Sequence, residues 1–320
     1  MPVVLKTENR PRVVVVGGAH MEIVMHTAEP VPARGSITCE RTVVRPGGRA
    51  ACVAAALARL HTRVTFITCL GSDPFAGPIL TCLSQRNINT SFIERRAPHA
   101  TGLVHHVIEP HGAARRIFSP GASLHLSERA VLKASVQFSS ADLVVVTPDI
   151  PHDAFVAALR LAHELRRPVV VDPAPADRLA PGDLAECDIL CADTDAAAAL
   201  CGWAIKSPGD AQRSAARILS QGAGAAVIDM GRDGVMTSSN EKQYTYTPAQ
   251  STSAFAHPDA RAAFDAGLVW ALTLGYSLSQ AAWIAQSAAA AMPAADTRSD
   301  DFPAFPGFDE LMAVQALHFR

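Results

Sequence analysis

Neither charge dominates this 320-residue chain: 28 Lys and Arg stand against 30 Asp and Glu, a formal net charge of −2. That balance excludes the basic footprint by which nucleic acid is bound. No apolar run reaches the roughly 18 residues that suggest a membrane span. The opening MPVVLKTENRPRVVVV lacks the basic start, unbroken apolar core and cleavage site of a signal peptide. The seven cysteines (39, 52, 69, 82, 187, 191 and 201) are odd in number, and Cys187 and Cys191 have no second pair at zinc-like spacing. Buried, reduced thiols are the expectation. Internal repeats, low-complexity tails and long linkers are missing too. These absences describe a soluble, cytoplasmic protein whose 49% hydrophobic content can fill a sizeable core.

What is present is an alternation. Short apolar runs at 13–16, 64–69, 143–147, 169–171, 189–191 and 225–228 are each bounded by polar or turn residues. Helical patterns lie between them. In HDAFVAALRLAHELRR, the residues Phe155, Ala158, Leu159, Ala162 and Leu165 share one face. In GDAQRSAARILSQG, Asp210 is placed to cap the start and Gly222 to end the helix. Buried strands alternating with helices predict a mainly parallel sheet covered on both faces. Two segments break the rhythm. Residues of about 36–46 and 101–119 read as extended strands, the second a hairpin turning near His111 and Gly112, and together they predict a small projecting sheet. The Ala-rich stretch near 281–295 reads as helical core, and ADTRSDDFPAFPGFDE as a surface loop before the last helix.

The order of motifs is informative: Gly17-Gly18 after the first strand, RPGGRAACVAAALARL at 45–60, CLGSDPFAG at 69–77, VDPAPADRL at 171–179, DMGRDG at 229–234 and FDAGLVWAL at 264–272. In this order and spacing the chain resembles the ribokinase-like (PfkB) carbohydrate kinases from end to end. The resemblance implies one α/β domain over 1–320, a Rossmann-type three-layer sandwich, with a small β lid often used for a homodimer contact. It also implies transfer of the ATP γ-phosphate, with Mg²⁺, to a hydroxyl of a sugar or nucleoside.

Residue by residue, that implication is uneven. Gly47 and Gly48 open a helix where the family meets its sugar, a turn that a plain strand-to-helix junction would also need. The family's Lys-Gly-Ala-Asn continuation is Arg49-Ala50-Ala51-Cys52 here, so the asparagine's amide donor and acceptor are replaced by a weak thiol at Cys52. The polyol-binding Asn and Asp of the family match His20 and Glu22, and Asp149 stands where many members carry an acid. All three fall where strands end toward one cleft, as binding residues or as ordinary polar strand ends. Asp193 matches the asparagine of the magnesium-organising Asn-x-x-Glu, but Ala196 holds the glutamate position. Asp193 and Asp195 serve equally as acids favoured by a helix N-terminus. Gly231 and Gly234 keep the nucleotide-side turn, or simply an inter-strand turn, while Asp229 puts a carboxylate where threonine is usual.

The signature itself is the most altered. The family's Asp-Thr-Thr-Gly-Ala-Gly-Asp gathers backbone amides around phosphate and ends in the general base. Aligned on Phe264 to Leu268, the base position is Ala262, the two glycine positions are Asp259 and Arg261, and Pro258 supplies no amide. Asp259 is the fallback base, but it lies three residues early, about 4.5 Å along a helix axis. A base must come within about 3 Å of its proton. Arg261 is the one replacement able to grip an anion. The whole stretch also reads as a helix start capped by Asp259 and kept for packing. Three functions follow as expectations: a catalytically impaired kinase homologue (a pseudokinase), an active carbohydrate or nucleoside kinase with a relocated base, or an interaction protein using the lid as a dimer surface.

Overall fold

The computed structural model describes residues 10–110, 114–180, 182–239, 243–249, 259–293 and 300–318. In chain order its strands are β1 (Arg12–Val16), β2 (His20–Thr27), β3 (Cys39–Gly47), β4 (Arg63–Ile67), β5 (Cys69–Gly71), β6 (Glu94–Arg96), β7 (Gly102–Ile108), β8 (Ala114–Ser119), β9 (Leu143–Val146), β10 (Val169–Val171), β11 (Ile189–Asp193), β12 (Ala225–Asp229), β13 (Val235–Ser239) and β14 (Tyr244–Thr247). The helices are α1 (Arg49–Arg59), α2 (Ala76–Gln85), α3 (Glu128–Lys133), α4 (Ser135–Ser140), α5 (His152–Glu164), α6 (Thr194–Cys201), α7 (Pro208–Ser220), α8 (Ala260–Thr273), α9 (Leu278–Ala290) and α10 (Phe308–His318).

The apolar runs become an eight-stranded sheet in the order β14-β13-β12-β11-β10-β9-β1-β4. It is parallel from β4 to β12, and β13 and β14 add an antiparallel edge. The four valines of β1 are all buried, because a parallel strand is covered on both faces and needs no polar alternation. Val13 and Val15 pack toward α1, α8 and α9, and Val14 and Val16 toward α3, α5 and α7. The chain leaves β1 toward β4 on one side and β9 on the other. That divergence opens a crevice at the carboxyl end of β1, where ligands bind in open α/β sheets.

The projecting sheet is there, in the order β3-β2-β7-β8. Its second member was not expected: His20 and Glu22 lie within β2, which pairs with β3 on one side and β7 on the other. The segment HMEIVMHT lacks a clean two-residue alternation, so its strand character rests on these two partners. The hairpin turn at His111 and Gly112 lies outside the described residues.

Two local expectations are corrected. Ser207, not Asp210, caps α7, accepting from the Asp210 amide, while Asp210 accepts from the Ser207 hydroxyl. The segment before α10 is more than a surface loop: Phe302 and Phe305 are buried, and Arg86 binds Asp301 through two 2.8 Å contacts. The Ala-rich α9 does lie in the core. A Cβ on Gly267 of α8 would come within 2.9 Å of the Ala288 Cβ, so small residues on both helices permit the close approach.

Candidate functional site

A cleft of about 130 Å³ lies beneath the lid, lined by His20, Glu22, Gly48, Arg49, Cys52, Arg116, Asp259, Arg261 and Ala262. β2 and β8 supply its lid-side lining, and Gly48, Asp259 and the first turns of α1 and α8 the rest. Gly48 precedes α1 with φ at 106°, and a Cβ there would meet the Gly18 carbonyl oxygen at 2.8 Å. Glycine is therefore required by both conformation and space. Gly47 has a different reason, since a Cβ would enter the Glu22 side chain.

One arginine that sequence reasoning passed over organises the lid side. Arg45 contacts Glu22 at 2.9 Å and Asp259 at 3.0 Å, tying β2 to the start of α8. Burial favours the neutral acid at Glu22, but His106, His20 and Arg45 outweigh it and hold the carboxyl well below the usual range. Asp259 precedes α8, yet its side chain makes no capping hydrogen bond; it turns to Arg45 instead. Cys52 is a buried neutral thiol, its pKa raised first by burial and then by Asp259 and Glu22. Asp149 does not line the cleft. Its carboxylate accepts from the Gly18 amide at 2.9 Å and from the Thr147 hydroxyl, fixing the turn after β1.

A second cleft of about 410 Å³ opens on the other side of α8, bordered by Asp193, Asp229, Gly231 and Arg261 among others. The Gly231 amide donates to Asp229 at 2.9 Å, and Gly231 and Gly234 take φ of 58° and 94° in the turn joining β12 to β13. Asp193 caps α6 by accepting from the Ala196 amide at 2.8 Å, and its other oxygen meets Arg49 at 3.5 Å. Burial opposes the Asp193 charge, while Arg261, Arg49 and the Ala196 amide favour it and lower its pKa.

Arg261 stands between the two clefts and borders both. Its guanidinium reaches Asp265 at 2.9 Å, Asp229 at 3.4 Å and the Cys191 carbonyl at 2.7 Å, with Asp172 at 4.0 Å. Arg49 meets Asp172 at 3.3 Å. Two arginines are thus held among Asp172, Asp193, Asp229 and Asp265. Burial raises Asp229 and Asp265 toward their neutral forms, and the nearby Asp172 raises Asp265 further. The grip that Arg261 offers an anion on sequence grounds is spent on the chain's own carboxylates.

These residues do not fit the implied magnesium. Both Asp193 oxygens are engaged by an amide and a guanidinium, and the Asp229 oxygens likewise by Gly231 and Arg261. Among the described residues no three His, Cys, Asp or Glu side chains are grouped to hold a metal ion. At the start of α8 the amides of Ala262 and Ala263 turn to the Asp259 carbonyl. Pro258, which has no amide to offer, lies outside the described residues.

The structure thus gathers His20, Glu22, Gly48, Arg49, Cys52, Asp259, Arg261 and Ala262 at one cleft. It puts Asp193, Asp229 and Gly231 at the other, and leaves Gly47, Asp149 and Gly234 in supporting turns. Sequence reasoning missed Arg45, Arg116, His106 and Asp172. Asp172 carried a usable signal, since it directly follows β10 at the carboxyl edge of the sheet. Arg116 and His106 carried none, because lid register alone brings them to the site.

Comparison with known proteins agrees with this architecture. A 27% identical relative over 257 residues, covering 80% of this chain and 83% of its own, is the ribokinase of Haemophilus influenzae. The mouse ribokinase is 26% identical over 274 residues, covering 85% of each chain. The Arabidopsis thaliana ribokinase solved with ribose and ATP superposes with a TM-score of 0.83 at 20% identity, covering 97% of this chain and 100% of that one. The model of the pfkB family carbohydrate kinases matches residues 10–295, and the chain belongs to that family.

Proposed function

We propose that this chain is a ribokinase-like pfkB-family protein impaired in phosphoryl transfer, a pseudokinase that keeps a small-molecule cleft. One observation carries the reading. Arg261 stands between the clefts, where a phosphoryl group would have to pass from nucleotide to acceptor, and its guanidinium is already engaged by Asp265, Asp229 and the Cys191 carbonyl. Beside it Ala262 takes no proton, which alone costs about 10²- to 10⁴-fold. ATP is the family's donor, and the 410 Å³ cleft supports its binding more than the surrounding carboxylates support its reaction. The acceptor side suits a sugar or nucleoside.

The test is ADP release with Mg-ATP and a panel of sugars and nucleosides, with wild type beside Arg261→Gly/Ala262→Asp. A silent wild type is expected; the variant, which gives up the Arg261 contacts, is compared only after circular dichroism shows that it is folded. Wild-type turnover near 1 s⁻¹ or faster, ordinary for an enzyme, would overturn the reading. It would favour instead a kinase with Asp259 as a relocated base, a second reading supported by the place of Asp259 on the cleft wall beside Ala262. Arg45 at 3.0 Å weighs against it by engaging the Asp259 carboxylate. If Asp259 is the base, Asp259→Ala abolishes that turnover.

A homodimer through the lid is proposed on a row of side chains. Val44, Ile23, His105 and Ile117 lie opposite one another across β3, β2, β7 and β8. Val44 and Ile117 are 39% and 67% exposed, so the row offers an apolar face. Sedimentation of wild type and Ile117→Asp tests it, with a shift to monomer expected in the variant. Residence in the cytoplasm and a single ribokinase-like unit over 1–320 complete the proposal. The first is supported by seven unpaired cysteines, and among the described residues no helix is long and apolar enough to cross a membrane.

A further inference from the structure

One arginine at the cleft under the lid is held by none of the acids around it. Arg45 is divided between Glu22 and Asp259. Arg49 is held by Asp172 and Asp193, and Arg261 by Asp265 and Asp229. Arg116 is different: it lines the cleft, and among the described residues it has no ion-pair or hydrogen-bond partner.

Strand register explains its position. Side chains two apart on a strand share a face. His20 and Glu22 of β2 pair with Gly102 and Val104 of β7; Val104 and His106 of β7 pair with Phe118 and Arg116 of β8. Arg116 and Phe118 therefore overhang the same face as His20 and Glu22, and the Phe118 ring touches the His20 ring edge-on at 5.4 Å. His20 adds the second observation. It is 8% exposed and lines the cleft, yet its Nε2 has no hydrogen-bond partner, with the nearest carboxylate oxygen, on Glu22, 3.7 Å away. That long contact to Glu22 is not a hydrogen bond; a buried polar atom without one is costly, and a ligand in the cleft would supply it.

We infer that the cleft takes a small polyol carrying one anionic group, carboxylate or phosphate. The anion is held by Arg116 under the lid, and the hydroxyls are shared among His20, Glu22 and Asp259. Glu22 and Asp259 do not repel such a ligand as bare charges would, because Arg45 lies against both. A cleft of about 130 Å³ limits the ligand to a compact molecule, since sites for drug-sized ligands run to about 300–1,000 Å³. This inference rests on the proposal that the cleft holds a small molecule and adds the charge of that molecule.

The experiment is calorimetric binding of D-ribose, D-ribonate and D-ribose 5-phosphate to wild type and Arg116→Gln, without nucleotide. At least one acidic polyol is expected to bind wild type about ten-fold or more tighter than ribose. Arg116→Gln should remove that preference, bringing the acidic polyol down to the affinity of ribose in the same variant. Tighter ribonate identifies a carboxylate ligand, and tighter ribose 5-phosphate a phosphate ester. Equal or tighter binding of ribose, a preference that survives in Arg116→Gln, or no binding of any of the three at 10 mM overturns the inference. Arg116 is exposed, so the variant folds, and circular dichroism checks that it does. The readout is affinity, so wild-type turnover could refute the impaired-kinase reading without touching this one.

Discussion

The Nη2 of Arg261 lies 2.9 Å from the Oδ1 of Asp265, one turn further along α8. Residues four apart share a helix face, and here that face is turned inward against β11 and β12. The pair is unequal. Burial opposes the Arg261 charge, but the acidic surroundings outweigh it and hold its pKa well above the usual value, whereas burial pushes Asp265 toward the neutral acid. Removing the cation should therefore cost more than removing the acid's charge. Arg261→Met is expected to lose about 3–5 kcal/mol, as when one partner of a buried pair is deleted, and Asp265→Asn less than about half of that. Urea denaturation of both variants measures the difference; equal losses would mean that Asp265 is ionised and shares the burden.

Gly48 tests how closely the lining of the cleft is built. Its φ of 106° strains any other residue, and an added Cβ would press on the Gly18 carbonyl and the Ala19 Cα at 2.8 and 2.9 Å. Gly48→Ala should cost about 1–3 kcal/mol from backbone conformation alone. The clash would also shift the turn that Asp149 holds through the Gly18 amide. Thermal unfolding reads the first effect, and ligand affinity the second. An unchanged melting temperature would show that the turn adapts.

The sheet was legible because parallel strands are marked by unbroken apolar runs, and each of the six runs became a strand. The lid was legible only in part. β2 carries His20, Glu22 and His26 among its apolar residues, so no clean alternation marks it, and it is a strand because β3 and β7 flank it. That Ala262 stands where the family's base is expected was legible without a structure, since it is an alanine whatever surrounds it. The fate of Arg261 was not, because a guanidinium at a helix start suits an external anion and an internal carboxylate equally well. Asp172, Asp229 and Asp265 decide between them, and they come from three separate elements. Arg45 escaped for the same reason, since its partners Glu22 and Asp259 are 23 and 214 residues away.

The segment before α10 gives a test of packing far from the cleft. Phe305 is 2% exposed and its carbonyl accepts from Arg59 at 3.2 Å, while Arg86 grips Asp301 nearby. Phe305→Ala should lose about 3–5 kcal/mol, the usual cost of emptying an aromatic core position. Asp301→Asn should lose no more than about 1 kcal/mol, because that pair is partly exposed. A loss for Phe305→Ala below about 1 kcal/mol would return this segment to the status of a surface loop.

Glu22 makes stability depend on acid in a direction that can be assigned. Its neighbours are His20 on its own strand, Arg45 from β3 and His106 from β7, with Asp259 reaching it through Arg45. Against burial, these groups depress its pKa far below the ordinary 4.5. A carboxyl depressed in the folded state contributes its full stability above the unfolded value and loses it as the pH falls through the folded one. Asp229 and Asp265 act oppositely, because their pKa values are raised by burial. Their contribution is largest at low pH and fades as the pH rises, so the wild-type profile alone mixes the two signs. A comparison with Glu22→Gln separates them, since both proteins keep Asp229 and Asp265. At pH 5 and above, wild type should exceed the variant by about 2 kcal/mol, the scale of a charge-assisted hydrogen bond, or a few degrees in melting temperature. Between pH 4.5 and pH 3 the gap should narrow as the unfolded wild-type chain takes up the proton that the folded one refuses. A gap that stays constant over that range would mean that Glu22 is not held ionised by its neighbours, and that Arg45 serves Asp259 alone.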